Sequence, residues 1–373
     1  MPTVAAGYGQ IIGRAAGRLG KPRVIASTLA AALAITCASA HADAIASLSP
    51  SRLLGQRIMV GFPGTRPTSS LLRRVTDGQV GAVILFSYNI QSDSQVRQLT
   101  RSLQRAARAG GNPRLLIAVD QEGGQIKRFS DGPPFLSPPQ IARRASVSVA
   151  ARQGRLTGAY LKSRGVNMDL APVVDVPTDP SAFIWQEGRA FSFSAQAVTR
   201  YATPFAMGIQ TQGVAATVKH FPGVGSAGTD TDNQLDELTP TRAQRRAALS
   251  PYRALISRGV DAIMLSTAGF PAFDPSGTPT ALSRPMIQGL LRHRLGFQGV
   301  TITDALESPT GHDKLTAGVL AARAGADILL YTGAATGELA RLESALRQGR
   351  LDRAQALVSY QRIAALKERL AGR

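Results

Sequence analysis

The stretch K-H-F-P-G-V-G-S-A-G-T-D-T-D, residues 219–232, is compatible with two chemistries. Gly223, Gly225 and Gly228 have the G-x-G-x-x-G spacing of a turn that cradles a dinucleotide phosphate. Alternatively, Lys219 and His220 close a buried strand, and Asp230 and Asp232 ride on a loop above it. That arrangement is the rim of an active site, with cations and carboxylates facing one space. The downstream sequence separates the two. A dinucleotide turn needs a helix opened by its third glycine. Here T-D-T-D-N-Q-L-D-E-L-T-P follows, acidic and without helical apolar spacing until about Arg242. The glycines are therefore expected to form a loop that reorders over a ligand, and a nicotinamide-dependent oxidoreductase is disfavoured.

The elements that must position these residues follow from apolar periodicity. Short, buried-type runs recur at 56–62, 80–86, 115–120, 166–176, 214–221, 260–266, 299–304 and 326–331. Such runs suit strands buried on both faces, as in a parallel sheet. Between most of them lie amphipathic patterns. One opens at S-D-S-Q and carries Val96, Leu99, Leu103 and Ala106 at helical spacing. Others fall near 143–162, 194–211, 241–258, 283–294, 315–323, 336–347 and 352–370. Eight strands alternating with helices predict a single (β/α)₈ barrel of the TIM type. An open doubly wound sheet is the alternative, because alternation alone does not prove closure.

In such a barrel, functional side chains gather at the carboxyl ends of the strands. There the sequence places Asp120 and Glu122, Asp175, Lys219 and His220, Ser266, and Asp304. Any one of them could simply cap the next helix. Together on one face they point to a site.

Composition narrows the function class. Residues 1–42 read as a secretory signal: Arg14, Arg18, Lys21 and Arg23 precede an apolar run that ends in C-A-S-A-H-A. Cleavage after Ala42 would leave a mature domain of residues 43–373. A signal-anchored form or acylation at Cys37 is the alternative. Cys37 is the only cysteine, so the mature chain has no disulfide, thiolate nucleophile or cysteine metal site. Lys and Arg number 43 against 24 Asp and Glu, a formal charge of +19. Such a surface is attracted to anionic polymers, of which the cell wall is the nearest for an exported protein. Clustered basic runs with interleaved aromatics are absent, which argues against a nucleic-acid platform. There is no H-E-x-x-H for zinc and no G-x-S-x-G nucleophile elbow.

Five motifs, in order, carry a resemblance: V-D-Q-E-G-G-Q-I-K-R-F, M-D-L-A-P-V-V-D-V, G-R-A-F-S-F-S, V-K-H-F-P-G-V-G and G-V-T-I-T-D-A-L-E-S. The chain resembles glycoside hydrolase family 3 over about residues 50–370. In particular it is similar to the single-domain bacterial β-N-acetylhexosaminidases that act on cell-wall, peptidoglycan-type fragments. The resemblance implies a retaining mechanism without cofactor or metal, with Asp304 as the nucleophile. It also implies that Asp120, Arg128, Arg189, Lys219 and His220 grip the sugar hydroxyls. At one point the chain departs from the pattern. The subgroup usually has histidine where this chain has Val224, and its acid/base histidine falls at Asp232. Asp230 matches the aspartate that orients that histidine. Three outcomes follow: Asp232 is itself the acid/base, another acid such as Glu122 or Asp236 serves, or the barrel binds glycans without cleaving them. A β-glucosidase or β-xylosidase specificity is a further alternative. The expected location is exported: periplasmic, wall-associated or secreted.

Overall fold

The computed structural model describes residues 47–333 and 336–372. The expected signal segment, with Cys37 and the boundary at Asp43, lies outside the described residues. From Ser49 onward the chain builds one compact unit. Eight parallel strands make its sheet: β1 (Ile58–Val60), β2 (Ala82–Leu85), β3 (Leu116–Val119), β6 (Met168–Asp169), β7 (Ala215–Phe221), β8 (Ala262–Leu265), β9 (Val300–Thr303) and β10 (Leu329–Tyr331). Their order is β10-β1-β2-β3-β6-β7-β8-β9. The ring closes between β9 and β10 through an Ile302–Ile328 bridge, with the Thr303 amide donating to the Ile328 carbonyl at 3.0 Å. Each of the eight apolar runs contributes one strand. The fourth run pairs briefly because Pro172 has no N–H for the ladder. Pairing resumes at Val173, opposite Lys219.

Helices begin where a side chain caps free amides. Ser92 caps Asp93–Ala109, Ser194 caps Ala195–Gln210, Thr241 caps Arg242–Ser257, and Asp313 caps Lys314–Ala324. The expected helix near 283–294 is a wide, π-type helix, Pro285–Arg294. Elements too short to show periodicity escape the sequence pattern. They are the helices Pro50–Gly55, Ser69–Thr76, Pro138–Arg143 and Phe183–Gln186, and an antiparallel hairpin of β4 (Gln121–Gly123) and β5 (Ile126–Lys127).

The barrel interior is filled, not hollow. Met59, Ile84, Leu116, Met168, Leu170, Met264, Ile302 and Leu330 form one buried cluster. Ile363, Leu366 and Leu370 of the C-terminal helix Arg353–Ala371 join it and stopper the barrel at the amino ends of the strands. A packed floor at that end leaves the carboxyl ends as the open face. No helix of the described residues is long and apolar enough to cross a membrane.

Candidate active site

At the carboxyl ends of the strands lies a pocket of about 250 Å³. The chain just past β3 supplies Asp120, and the β4–β5 hairpin supplies Glu122 and, just beyond it, Arg128. The loop after Phe183–Gln186 brings Arg189. Strand β7 ends in Lys219 and His220, and Asp304 follows β9. Asp230 and Asp232 come from the loop after β7. The eight residues given a role by the resemblance, Asp120, Arg128, Arg189, Lys219, His220, Asp230, Asp232 and Asp304, line this one pocket together with Glu122. Asp236 does not; its carboxylate accepts from Thr229 and Gln234 on the loop's outer side.

One half of the pocket is a cation–carboxylate lattice. Lys219 Nζ donates to Asp120 Oδ1 and lies beside Glu122 Oε1, each at 2.7 Å. Arg189 grips both Glu122 oxygens at 2.9 Å, and Arg128 reaches Asp120 Oδ2 at 3.1 Å. Burial alone would push the Asp120 carboxyl up, but Lys219 and Arg128 outweigh it and hold the group at about 2. The same contest in Glu122 ends below the usual carboxylate range, because Arg189 and Lys219 overcome burial. Burial disfavours the Lys219 ammonium, yet Asp120 and Glu122 raise its pKa. The lattice is therefore fixed in charge and geometry, with donors and acceptors both facing the pocket.

The other half is acidic. Asp304 is 7% exposed, and its carboxylate accepts from the Ala305 amide at 2.9 Å. Asp232 is exposed at its outer edge while lining the pocket; Ser308 Oγ donates to its Oδ1 at 2.9 Å. The Asp304 charge foremost, then burial, then Asp230 push the Asp232 carboxyl up to about 7. Water at the exposed edge screens part of that repulsion. Between the halves stands His220, whose Nδ1 donates to Asp175 Oδ2 at 2.8 Å and whose Nε2 lies 3.3 Å from Arg189. Burial disfavours its imidazolium, but Asp175 and, more weakly, Asp304 outweigh this and raise its pKa.

The 223–238 loop is built against the barrel rim. Gly223 adopts φ +123°, and the Val224 amide donates to Asp175 Oδ1 at 2.9 Å. A Cβ on Gly225 would lie 1.9 Å from the Val176 carbonyl, so glycine is required there. No helix opens after Gly228; the next begins at Arg242. The dinucleotide-turn reading of these glycines thus fails on the helix it needs.

The family model described as "Glycosyl hydrolase family 3 N terminal domain" matches residues 52–366. The chain belongs to glycoside hydrolase family 3. Within it, the chain is similar to an uncharacterized secreted glycosyl hydrolase of Arthroderma benhamiae, 38% identical over 335 residues, spanning 85% of this chain and 92% of that protein. A β-hexosaminidase of Nitrosomonas eutropha is 35% identical over 67% of this chain and 72% of its own length. Among solved structures, a family 3 β-N-acetylglucosaminidase from Paenibacillus superposes with a TM-score of 0.81 at 33% identity. The match covers 87% of this chain and 63% of that one. The barrel is thus the family 3 barrel, and the chain is a glycoside hydrolase with β-hexosaminidase-like relatives.

Some neighbours of the site were weakly signalled or unsignalled in the sequence. Asp175 was visible only as one more strand-end carboxylate; its role as the His220 partner needed coordinates. Asp169, wholly buried beneath the lattice, has a pKa raised well above normal by burial, and its Oδ1 accepts from the Gln121 amide. Ser308 carried no signal, because a serine four residues past Asp304 looks like any turn residue. Ser266 does not line the pocket; it is buried below, with no hydrogen-bond partner for its hydroxyl among the described residues.

Proposed function

We propose that this family 3 chain hydrolyses β-glycosidic bonds of N-acetylglucosamine-containing glycans with retention of configuration, Asp304 acting as nucleophile and Asp232 as acid/base. The observation that carries the reading is that Asp232 lines the same pocket as Asp304 and is biased toward its protonated form by the Asp304 charge. A carboxyl whose pKa is raised beside a second carboxyl in one pocket is what this chemistry requires of its acid.

In the first step Asp304 attacks the anomeric carbon while Asp232 gives its proton to the glycosidic oxygen. The C–O bond breaks, the aglycone leaves as an alcohol, and a glycosyl ester forms on Asp304. In the second step the Asp232 carboxylate takes a proton from water, whose oxygen attacks the same carbon and frees Asp304. The other candidate proton sources, Glu122 and Asp236, fit the role less well. Glu122 is held ionised by Arg189 and Lys219, and Asp236 lies off the pocket. Asp120, Arg128, Arg189, Lys219 and His220 supply the fixed donors and acceptors that a polyhydroxylated ring needs. Peptidoglycan-type fragments as substrate follow only from the motif resemblance, while export of the chain is supported by the N-terminal signal pattern and the Arthroderma relative described as secreted.

The test is turnover of aryl β-N-acetylglucosaminides and β-glucosides of graded leaving-group acidity. Asp304→Asn is expected to abolish it on every substrate. Asp232→Asn is expected to cost about 10²–10⁴-fold with a phenyl leaving group and far less with dinitrophenyl, which departs without a proton. NMR of the first-formed product should show the β-anomer. Equal losses across the series would remove Asp232 from the acid role. No turnover by the parent chain, with glycan binding intact, would make it a glycan-binding barrel.

A further inference from the structure

Asp232 sits in the stretch between Phe221 and Arg242, which forms neither helix nor named strand, so something outside the loop must fix its carboxyl. Two contacts do so. Ser308 Oγ donates to Asp232 Oδ1 at 2.9 Å, and Thr267 Oγ1, at the rim beyond β8, donates to the backbone carbonyl of Thr231 at 3.0 Å. Ser308, Thr267 and Thr231 are all buried.

Ser308 is in turn held to the nucleophile's strand. It closes a turn from Ala305, with its amide 3.1 Å from the Ala305 carbonyl. Leu306, within that turn, is buried and donates its amide to Leu330 at 3.0 Å. Glu307 accepts from the Thr332 amide and hydroxyl at 3.0 and 3.2 Å. The segment that carries Asp304 therefore runs on, pinned to β10, for four residues and ends on the Asp232 carboxylate.

We propose that Ser308 is the positioning residue for the proton donor, tying Asp232 to the Asp304 segment so that both carboxyls hold one fixed relation across the pocket. The inference rests on the reading of Asp232 as acid/base. The bond has a chemical consequence as well as a mechanical one. With Oδ1 engaged as acceptor, Oδ2 is the oxygen that carries the transferable proton. The hydroxyl also stabilises the carboxylate that must form when the aglycone leaves, opposing the upward push of Asp304 and Asp230. The remaining charged group facing Asp232 is His220, which acts in the same direction as Ser308.

The test compares Ser308→Ala, Ser308→Thr and Asp232→Asn with phenyl and dinitrophenyl β-N-acetylglucosaminides. Ser308→Ala is expected to lose about tenfold more kcat/KM on the phenyl than on the dinitrophenyl substrate. Its alkaline limb should move up by about half a pH unit, because the carboxylate loses a donor. Ser308→Thr, which keeps the hydroxyl, should restore both. Dinitrophenyl turnover itself reports a folded site. Equal losses on the two substrates, or an unmoved limb, would overturn the role of Ser308 while leaving that of Asp232 standing. If Asp232→Asn shows no leaving-group dependence either, both readings fall together.

Discussion

Lys367 places a cation in the wrong part of the barrel, and the consequence is measurable. It lies on the C-terminal helix, 2% exposed, at the end opposite the pocket. Its Nζ donates to Gln56 Oε1 at 2.7 Å and to the Gly81 carbonyl at 2.8 Å, and it has no ion-pair partner among the described residues. Burial without a counter-charge lowers its pKa from 10.5 to about 7. A gap of that size corresponds to about 5 kcal/mol, as an upper figure. Below pH 7 the folded state must bury an ammonium, and the penalty is fully present. Between pH 7 and 10.5 the folded state releases the proton that the unfolded chain still holds, so this group makes stability rise by about 1.4 kcal/mol per pH unit. Lys367→Met removes the titration at similar length. The Gly81 carbonyl keeps its bond from the Leu116 amide, and only Gln56 Oε1 loses its donor, a pH-independent cost of about 1–3 kcal/mol. Denaturant unfolding of parent and variant at constant ionic strength should show the parent gaining about 2–3 kcal/mol on the variant between pH 7 and 9. Other titrating groups cancel in that difference. Parallel curves would refute the reasoning, since an amine that remains charged when folded contributes no slope.

Two further expectations concern the pocket. Asp120→Asn strips Lys219 and Arg128 of a shared charged partner and removes one acceptor oxygen from the pocket, so kcat/KM should fall by about tenfold to a hundredfold, read in steady-state kinetics. Gly225→Ala forces the loop off the Val176 carbonyl at a cost of about 1–3 kcal/mol, whereas Gly228→Ala meets nothing within 4 Å and should match the parent in thermal unfolding.

The barrel was legible in the sequence because each strand is buried on both faces and so reads as an unbroken apolar run. One helix announced itself through the S-D-S-Q cap, and the others through amphipathic spacing. The strand-end rule then brought Asp120, Lys219, His220 and Asp304 to one face without coordinates. What it could not supply is pairing across the mouth. That Arg189 spans Glu122 rather than solvent depends on a four-residue helix, Phe183–Gln186, too short to leave a period. That Ser308 meets Asp232 depends on two irregular segments 76 residues apart, and irregular backbone has no sequence period to read. Lys367 was equally silent, because its position on the C-terminal helix does not reveal that the helix end is plugged into the barrel floor.

The charges at the pocket are divided, and the division bears on the proposed acid/base role of Asp232. Arg128, Arg189 and Lys219 all face Asp120 and Glu122, while Asp304, Asp230 and Asp232 have no cation within ion-pair distance among the described residues. On the proposed mechanism, a sugar gripped by the first half would present its anomeric centre to a second half with surplus negative charge. That surplus stabilises the positive charge developing in an oxocarbenium-like transition state. It also raises the pKa of Asp232, the Asp304 charge foremost. In the subgroup, the aspartate matching Asp230 orients a histidine, and a neighbouring carboxylate favours the imidazolium. Beside an aspartate the same neighbour favours the neutral acid by like-charge repulsion. On the proposed reading both arrangements favour a protonated donor in the pocket, with Asp232 carrying the proton at the position where the resembling subgroup has histidine.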